Sequence, residues 1–177
     1  TFADETRALR QVLSPASFDS RITQHIPGFV GRQWVFDAYR AWLDNPDSRV
    51  FWIKAGPGVG KSAIAANLAA RERSAIVANW FCDAKSAELR DPHHALRSLA
   101  FQLALRWVEY RVRLLRQLQI SANATEEMLQ EARKQLGTLN TKDLFSLLLT
   151  EPLNGLIWRE HKLVIVVDAL DEATDDN

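Results

Sequence analysis

The feature that most constrains this chain is a glycine-rich turn between an apolar run and a helical segment. Residues 50–53 (VFWI) are wholly apolar, and residues 55–62 follow them with the sequence AGPGVGKS. Residues 62–73 are rich in alanine and helical by propensity. A short apolar run bounded by turn formers is typical of a strand buried on both faces. The order therefore predicts a buried strand that leads through a tight turn into a helix.

The glycine-rich turn fits the phosphate-binding loop, with alanine at its first position. Its three glycines let the backbone approach an anion closely and supply positive φ. The helix that follows directs its positive dipole end at the anion. Lys61 would reach the β- and γ-phosphates of a nucleotide, and the Ser62 hydroxyl would coordinate Mg²⁺. An ordinary glycine-rich β–α turn is the alternative, and the flanking strand and helix favour the phosphate loop.

A second apolar run predicts the partner of this loop. Residues 163–167 (LVIVV) deliver Asp168 at the carboxyl end of a strand, where ligands bind in open α/β sheets. There the carboxylate can share the magnesium shell with the loop serine. Asp171 and Glu172 follow, and one of them is predicted to orient or deprotonate the attacking water. Simple solvation is preferred only for the acids beyond residue 174.

The remaining pattern predicts an α/β protein with a mainly parallel sheet. Helices are expected over residues 3–13 and 32–43 and from Pro92 onward, with interruptions at Asn123 and Gly137, and a strand is expected over residues 75–82. Residues 14–28 read as an irregular linker. We divide the chain into an N-terminal helix and linker, residues 1–25, and a nucleotide-binding domain, residues 26–177.

Composition narrows the class of protein. Hydrophobic residues make up 47% of the chain, as in a folded domain, and 22 basic residues balance 22 acidic ones. This neutral balance makes nucleic acid and anionic lipid unexpected partners. Cys82 is the only cysteine, and the apolar run of residues 163–167 is far shorter than the roughly 20 residues that span a bilayer. We expect a cytoplasmic protein and, since no starting methionine is present, a piece of a longer polypeptide.

Taken together, these motifs resemble the NACHT branch of the STAND signalling ATPases, which are relatives of the AAA+ machines. The pattern there is an apolar strand, an aspartate, a small residue, an apolar residue and two acids, and residues 168–172 (DALDE) match it. Residues 29–32 (FVGR) are similar to the short box that precedes the phosphate loop in that superfamily. The resemblance covers residues 26–172.

The resemblance implies a three-layer P-loop NTPase sandwich of the ASCE/AAA+ type, truncated here after the Walker B strand. In that superfamily a sensor strand lies between the two Walker strands, so residues 50–53 and 163–167 are not expected to pair directly, and exposed sheet edges are expected to favour aggregation. Phe29 and Val30 would lie near the adenine. The residues predicted to bind the nucleotide are Phe29, Val30, Gly31, Arg32, Ala55, Gly56, Pro57, Gly58, Val59, Gly60, Lys61, Ser62 and Ala63.

The function implied by the resemblance is an ATP/ADP switch in signal transduction, of the kind found in innate immunity. ADP would hold a closed form, ATP would promote self-association, and hydrolysis would be slow.

Alternatives are a non-hydrolysing scaffold that holds ADP, a small-molecule P-loop kinase and a DNA-handling AAA+ ATPase. Five arginines between residues 97 and 116 are interpreted as a solvated or inter-subunit face.

Overall fold

The computed structural model describes residues 1–56, 58–157 and 162–173, and helices predominate in them. The elements in chain order are α1 (Phe2–Leu13), α2 (Asp19–His25), α3 (Gln33–Asp44), α4 (Lys61–Arg71), β1 (Ile76–Phe81), α5 (Ala87–Arg90), α6 (Pro92–Arg106), α7 (Val108–Gln117), α8 (Glu126–Thr138), α9 (Thr141–Phe145), a π-helical turn (Ser146–Thr150), α10 (Glu151–Leu153), β2 (Val164–Asp168) and a 3₁₀ turn (Leu170–Glu172).

The described residues divide into two compact units. The sheet unit comprises residues 17–81 and 162–170, and the helical unit comprises residues 1–16, 82–157 and 171–173. Helices α2, α3 and α4 and both strands belong to the sheet unit, whereas α1 and the helices from α5 onward belong to the helical unit. Each unit is described by itself below.

The two strands of the sheet unit pair in parallel. Ile76 lies opposite Val164 at one end of the pair and Phe81 lies opposite Asp168 at the other, with a register shift between Ile76 and Ala78. Strand β1 is buried along nearly its whole length, in keeping with a sequence that is apolar at every position except Asn79. In the described residues β2 pairs with β1 alone, and its other edge is open. The register therefore brings Asp168 to the carboxyl end of the sheet.

The prediction of a strand over residues 50–53 is wrong for the described chain. These residues join no hydrogen-bonded ladder there, and their burial alternates, with Val50 and Trp52 exposed and Phe51 and Ile53 packed against the core. The Phe51 ring lies 5.8 Å from that of Tyr39. The segment thus covers the core with one face, and a ladder needs a neighbouring strand that the described residues do not supply.

The core of the sheet unit joins α3 and α4 to the strands. Ile64 and Leu68 of α4 pack with Val35 and Phe36 of α3 and with the start of both strands. Just before β2, the Lys162 ammonium donates to three carbonyls at the end of α3, those of Trp42, Asn45 and Ser48. A cation favours the negative end of a helix, so Lys162 fixes the entry into β2.

The helical unit contains the capped helix that the sequence predicts. Helix α6 begins at Pro92, and the Asp91 carboxylate accepts hydrogen bonds from the N–H groups of His93 and His94. Helix α1 packs against α6 and α8. No helix in the described ranges is long and apolar enough to cross a membrane.

The helical predictions are wrong at two places. Residues 14–28, expected to be irregular, contain α2, and none of the seven residues of α2 is buried. A helix without a buried face leaves no apolar periodicity to read. The break between α6 and α7 at Trp107 is not among the expected interruptions, whereas α8 does end at Thr138, within one residue of the interruption expected at Gly137. Asn123 does lie between helices, as expected.

Two buried tyrosines differ in how their hydroxyl groups are satisfied. Tyr110 Oη donates to the Leu148 carbonyl at 2.6 Å. In an α-helix that carbonyl would pair with the N–H of residue 152, which is a proline, so Tyr110 supplies the missing donor. Tyr39 Oη is buried without a hydrogen-bond partner in the described chain. Burial raises the pKa of Tyr110, and burial with the charge of Glu72 raises the pKa of Tyr39 to about 12.

Replacing each tyrosine by phenylalanine is therefore expected to have different effects. Tyr110→Phe should lower the free energy of unfolding by about 1–3 kcal/mol, since it leaves a buried carbonyl unsatisfied. Tyr39→Phe should leave stability unchanged or raise it, because it removes a buried hydroxyl that has no partner. Urea denaturation of both variants measures the difference, and equal losses would contradict this assignment of the hydroxyl groups.

Candidate functional site

The glycine-rich loop ends in a helix N-terminus shaped by left-handed glycines. Gly58 has φ 72° and Gly60 has φ 89°, a region that strains any other residue. Gly60 is the N-cap of α4, and its carbonyl accepts the N–H of Ile64. The first N–H groups of a helix have no partner within it and favour an anion. Pro57, also predicted to bind the nucleotide, lies outside the described residues.

The Lys61 side chain folds back over the loop. Its Nζ donates to the carbonyl of Ala55 at 2.9 Å and to that of Gly56 at 3.1 Å. Both hydrogen bonds lie at the exposed surface, so an anion can replace them without leaving a buried group unpaired. Ser62 and Ala63 follow in the first turn of α4 and are half-buried. The loop thus places the Lys61 ammonium beside the N-terminus of α4, in contacts that an anion can replace.

Asp168 is the buried carboxylate of the sheet unit. It is 7% exposed, and its Oδ2 has no hydrogen-bond partner among the described residues. An isolated buried charge is strongly unfavourable, and a bound cation removes that penalty. Helix α4, which carries Ser62, packs against the strand that ends in Asp168. The unpaired oxygen therefore fits a hard cation that binds oxygen ligands.

The donor set also indicates which kind of metal site fits. Among the described residues, no three His, Cys, Asp or Glu side chains lie close enough to hold a metal together. Zinc sites need such a cluster. Mg²⁺ instead uses one or two carboxylates together with phosphate oxygens and water. Asp168 and the Ser62 hydroxyl suit a magnesium ion that arrives with a polyphosphate.

The box of residues 29–32 lies in the same unit as the loop. The Phe29 ring packs 6.0 Å from that of Phe36, and the Arg71 guanidinium lies 5.6 Å from the Phe29 ring. Val30, in contrast, is 87% exposed. Of the two residues predicted to lie near the adenine, Val30 is therefore the one whose side chain is accessible. Gly31 has φ 77°, and Arg32 donates to the Val59 carbonyl of the loop at 2.7 Å. The structure therefore joins the box to the loop through Arg32.

Sequence reasoning missed one residue that supports the loop helix. Asn67 is fully buried in α4, and its Nδ2 donates to the carbonyls of His25 and Ala63, each at 2.9 Å. It thereby ties the end of α2 to the first turn of α4. The signal that reveals it is a polar residue inside an alanine-rich helix, where a buried amide must find partners.

Asp171 and Glu172 belong to the helical unit. They lie in the 3₁₀ turn after Ala169, whose φ of 53° turns the chain sharply as β2 ends. Glu172 Oε2 accepts the backbone N–H of Ala84 at 2.8 Å, and Asp171 is exposed. The Glu172 carboxylate is therefore held by backbone, a contact between residues too distant in sequence to be read from the motif.

The arginine cluster of the helical unit is not a uniform solvated face. Arg111 is buried, with Nε 2.9 Å from Glu5 Oε2 and Nη1 3.0 Å from the Ala104 carbonyl. Burial lowers the pKa of Arg97, and the charge of Asp91 opposes that effect. Arg111 is thus structural, and the expectation of a solvated or inter-subunit face is wrong for it.

Comparison with known proteins places a family match over most of the chain. The family described as Nephrocystin 3, N-terminal matches residues 31–177, which is most of the chain and includes both the loop and Asp168. Neither the curated proteins nor the solved structures include a significant match.

Proposed function

The chain belongs to the Nephrocystin 3 N-terminal family, and we propose that it is a P-loop nucleotide-binding module of the NACHT type that binds ATP or ADP with magnesium. The family match covers the loop and the strand that carry the chemistry. A P-loop NTPase fold for the full domain is part of the same proposal.

The observation that carries the proposal is the buried Asp168 carboxylate with its unpaired oxygen. A buried polar group without a partner needs an explanation, and for a carboxylate at the end of a strand a bound cation is one. The glycine loop, with Lys61 and the N-terminus of α4, is in the same unit. The loop groups favour an anion, and the unpaired carboxylate favours a cation. A polyphosphate with its magnesium ion satisfies both.

When nucleotide binds, Lys61 exchanges its hydrogen-bond acceptors. Lys61 Nζ leaves the carbonyls of Ala55 and Gly56 for the β- and γ-phosphate oxygens, which form stronger charge-assisted hydrogen bonds. The Ser62 hydroxyl and the Asp168 carboxylate would hold a magnesium ion, which would neutralise phosphate charge. Val30, exposed at the box, offers an apolar contact for the adenine.

We propose a switch as the biological role. A nucleotide moves an equilibrium between two forms only as far as its affinities for them differ, so ATP and ADP must contact the closed and assembled forms differently. Self-association through the NTPase domain in the cytoplasm would then be the output.

Equilibrium titration tests the binding proposal. ATP and ADP should bind, with ATP affinity falling when EDTA removes magnesium, and AMP should bind much more weakly because it lacks the β- and γ-phosphates. Binding of AMP as tight as that of ATP, or no binding of any of the three, would refute the proposal.

Slow hydrolysis is expected to depend on Glu172 or Asp171. If Glu172 is the base, Glu172→Gln should lower ATP turnover at least about tenfold. Glutamine keeps an oxygen that can accept the Ala84 N–H, so the fold should persist. Steady-state phosphate release measures turnover, and Asp171→Asn is the matched variant.

A non-hydrolysing ADP scaffold is the second candidate, favoured by the contact that already occupies Glu172 Oε2. It predicts no turnover above the protein-free rate in the wild type. Measurable turnover that survives both Glu172→Gln and Asp171→Asn would contradict the assignment of the base to these acids.

A further inference from the structure

We infer that Arg32 is a positioning residue that sets the conformation of the phosphate loop by holding the Val59 carbonyl. The inference rests on the proposed nucleotide function and assigns Arg32 to the phosphates of the ligand, not to its base. The contact is the hydrogen bond from Arg32 Nη2 to Val59 O at 2.7 Å. This length is typical of a charge-assisted hydrogen bond, which is stronger than a neutral one.

The position of Val59 gives the contact its effect. Val59 lies between Gly58 and Gly60, both in the left-handed region. In a planar trans peptide the C=O of one residue and the N–H of the next point in opposite directions. When Arg32 holds the Val59 carbonyl on its side, the Gly60 N–H is therefore turned to the other side. Arg32 thus fixes the direction of one loop donor, although glycine would otherwise let that peptide rotate.

The backbone at Arg32 supports a specific role for its side chain. Arg32 is the N-cap of α3 with φ 61° and ψ 22°, an unfavourable conformation for a residue with a Cβ. Ser, Thr, Asp or Asn would cap the helix with a side-chain oxygen, and Arg32 makes no such hydrogen bond. An arginine here therefore contributes nothing to capping α3, and its reach to the loop explains its presence.

The connection between box and loop is also anchored at its other end. Asn67 of α4 donates to the His25 carbonyl at 2.9 Å, just before the segment that leads to Arg32. Residues 26–31 are thus tied to α4 at their start and to the phosphate loop at their end.

Binding of ATP, ADP and GTP, which differ in phosphate number or in the base, tests the inference. We expect Arg32→Ala to weaken the binding of ATP and ADP by a similar factor, about tenfold to a hundredfold, because binding must then order a loop that Arg32 no longer holds. The ratio of ATP to GTP affinity should stay unchanged, because Arg32 acts on the loop and does not contact the base. Arg32→Lys should recover part of the loss, since an ammonium can reach the same carbonyl. Competition against a fluorescent ATP analogue measures all of these affinities.

Arg40→Ala is the matched control. Arg40 lies on α3 in the same unit and pairs at the surface with Glu72. This variant should bind nucleotides like the wild type. Hydrogen exchange of the nucleotide-free protein gives a second readout: the amides of residues 58–60 should exchange faster in Arg32→Ala and at the wild-type rate in Arg40→Ala.

The outcomes separate this inference from the proposed function. A changed ATP-to-GTP ratio in Arg32→Ala would assign Arg32 to the base and overturn the inference. Unchanged affinities with unchanged exchange at residues 58–60 would overturn it as well, while nucleotide binding by the wild type would leave the proposed function standing. A wild type that binds none of these nucleotides would refute the proposed function itself, and faster exchange in Arg32→Ala would still support the loop contact.

Discussion

Replacing Lys61 by alanine is expected to lower the affinity for magnesium ATP by about a hundredfold or more. The ammonium would hydrogen-bond to two phosphate oxygens, and each charge-assisted hydrogen bond contributes roughly 1.5–3 kcal/mol. The fold should be unaffected, because in the described residues Lys61 Nζ contacts only the exposed carbonyls of Ala55 and Gly56. Isothermal titration calorimetry measures the affinity, and urea denaturation checks the stability.

Lys54→Ala is the control for Lys61→Ala. Lys54 is an exposed lysine of the same unit that precedes the loop, so its loss changes the net charge equally without touching the phosphate position. Affinity should then stay within about twofold of the wild type. Retention of wild-type affinity in Lys61→Ala, or an equal loss in both variants, would exclude Lys61 as the phosphate ligand.

Asp168→Asn is expected to change stability and binding in opposite directions. Without ligand, one oxygen of the buried Asp168 carboxylate has no hydrogen-bond partner among the described residues, and asparagine keeps the shape of the side chain but cannot bear a negative charge. The nucleotide-free variant should therefore be more stable by about 1 kcal/mol or more. With magnesium ATP, the variant lacks a charged metal ligand, and affinity should fall at least about tenfold.

The magnesium dependence gives this prediction its control. In EDTA, Asp168→Asn should bind ATP no more weakly than the wild type, because the metal that the carboxylate would hold is absent and the carboxylate only repels the phosphates. Asp47→Asn removes an exposed carboxylate of the same unit. It should change neither the stability of the nucleotide-free protein nor the affinity for magnesium ATP. A variant that is less stable than the wild type without ligand would show that the Asp168 carboxylate has a structural partner.

The parts of the structure that the sequence predicts are the ones fixed by local chemistry. Glycines at 58 and 60 are needed for positive φ, and the capped start of α6 follows from Asp91 and Pro92. Strand β2 follows from an unbroken apolar run. Each of these features depends on residues within one or two turns of chain, so a single sequence contains the information.

The features that the sequence does not reveal depend on distant partners. Whether residues 50–53 form a strand depends on a neighbour to pair with, and propensity carries no information about that neighbour. The contact between Glu172 and Ala84, the three carbonyls bound by Lys162 and the Arg32–Val59 hydrogen bond each join separate elements. In the candidate site, the sequence identifies the residue types, and the structure adds how they are held.

The most direct test is a crystal structure of the protein with Mn²⁺ in place of magnesium and a non-hydrolysable ATP analogue. One anomalous manganese peak should be bound by both the Ser62 hydroxyl and the Asp168 carboxylate, with the analogue's phosphates against the amides of residues 58–62. A manganese ion bound elsewhere, or an analogue whose phosphates avoid the glycine loop, would contradict the nucleotide assignment.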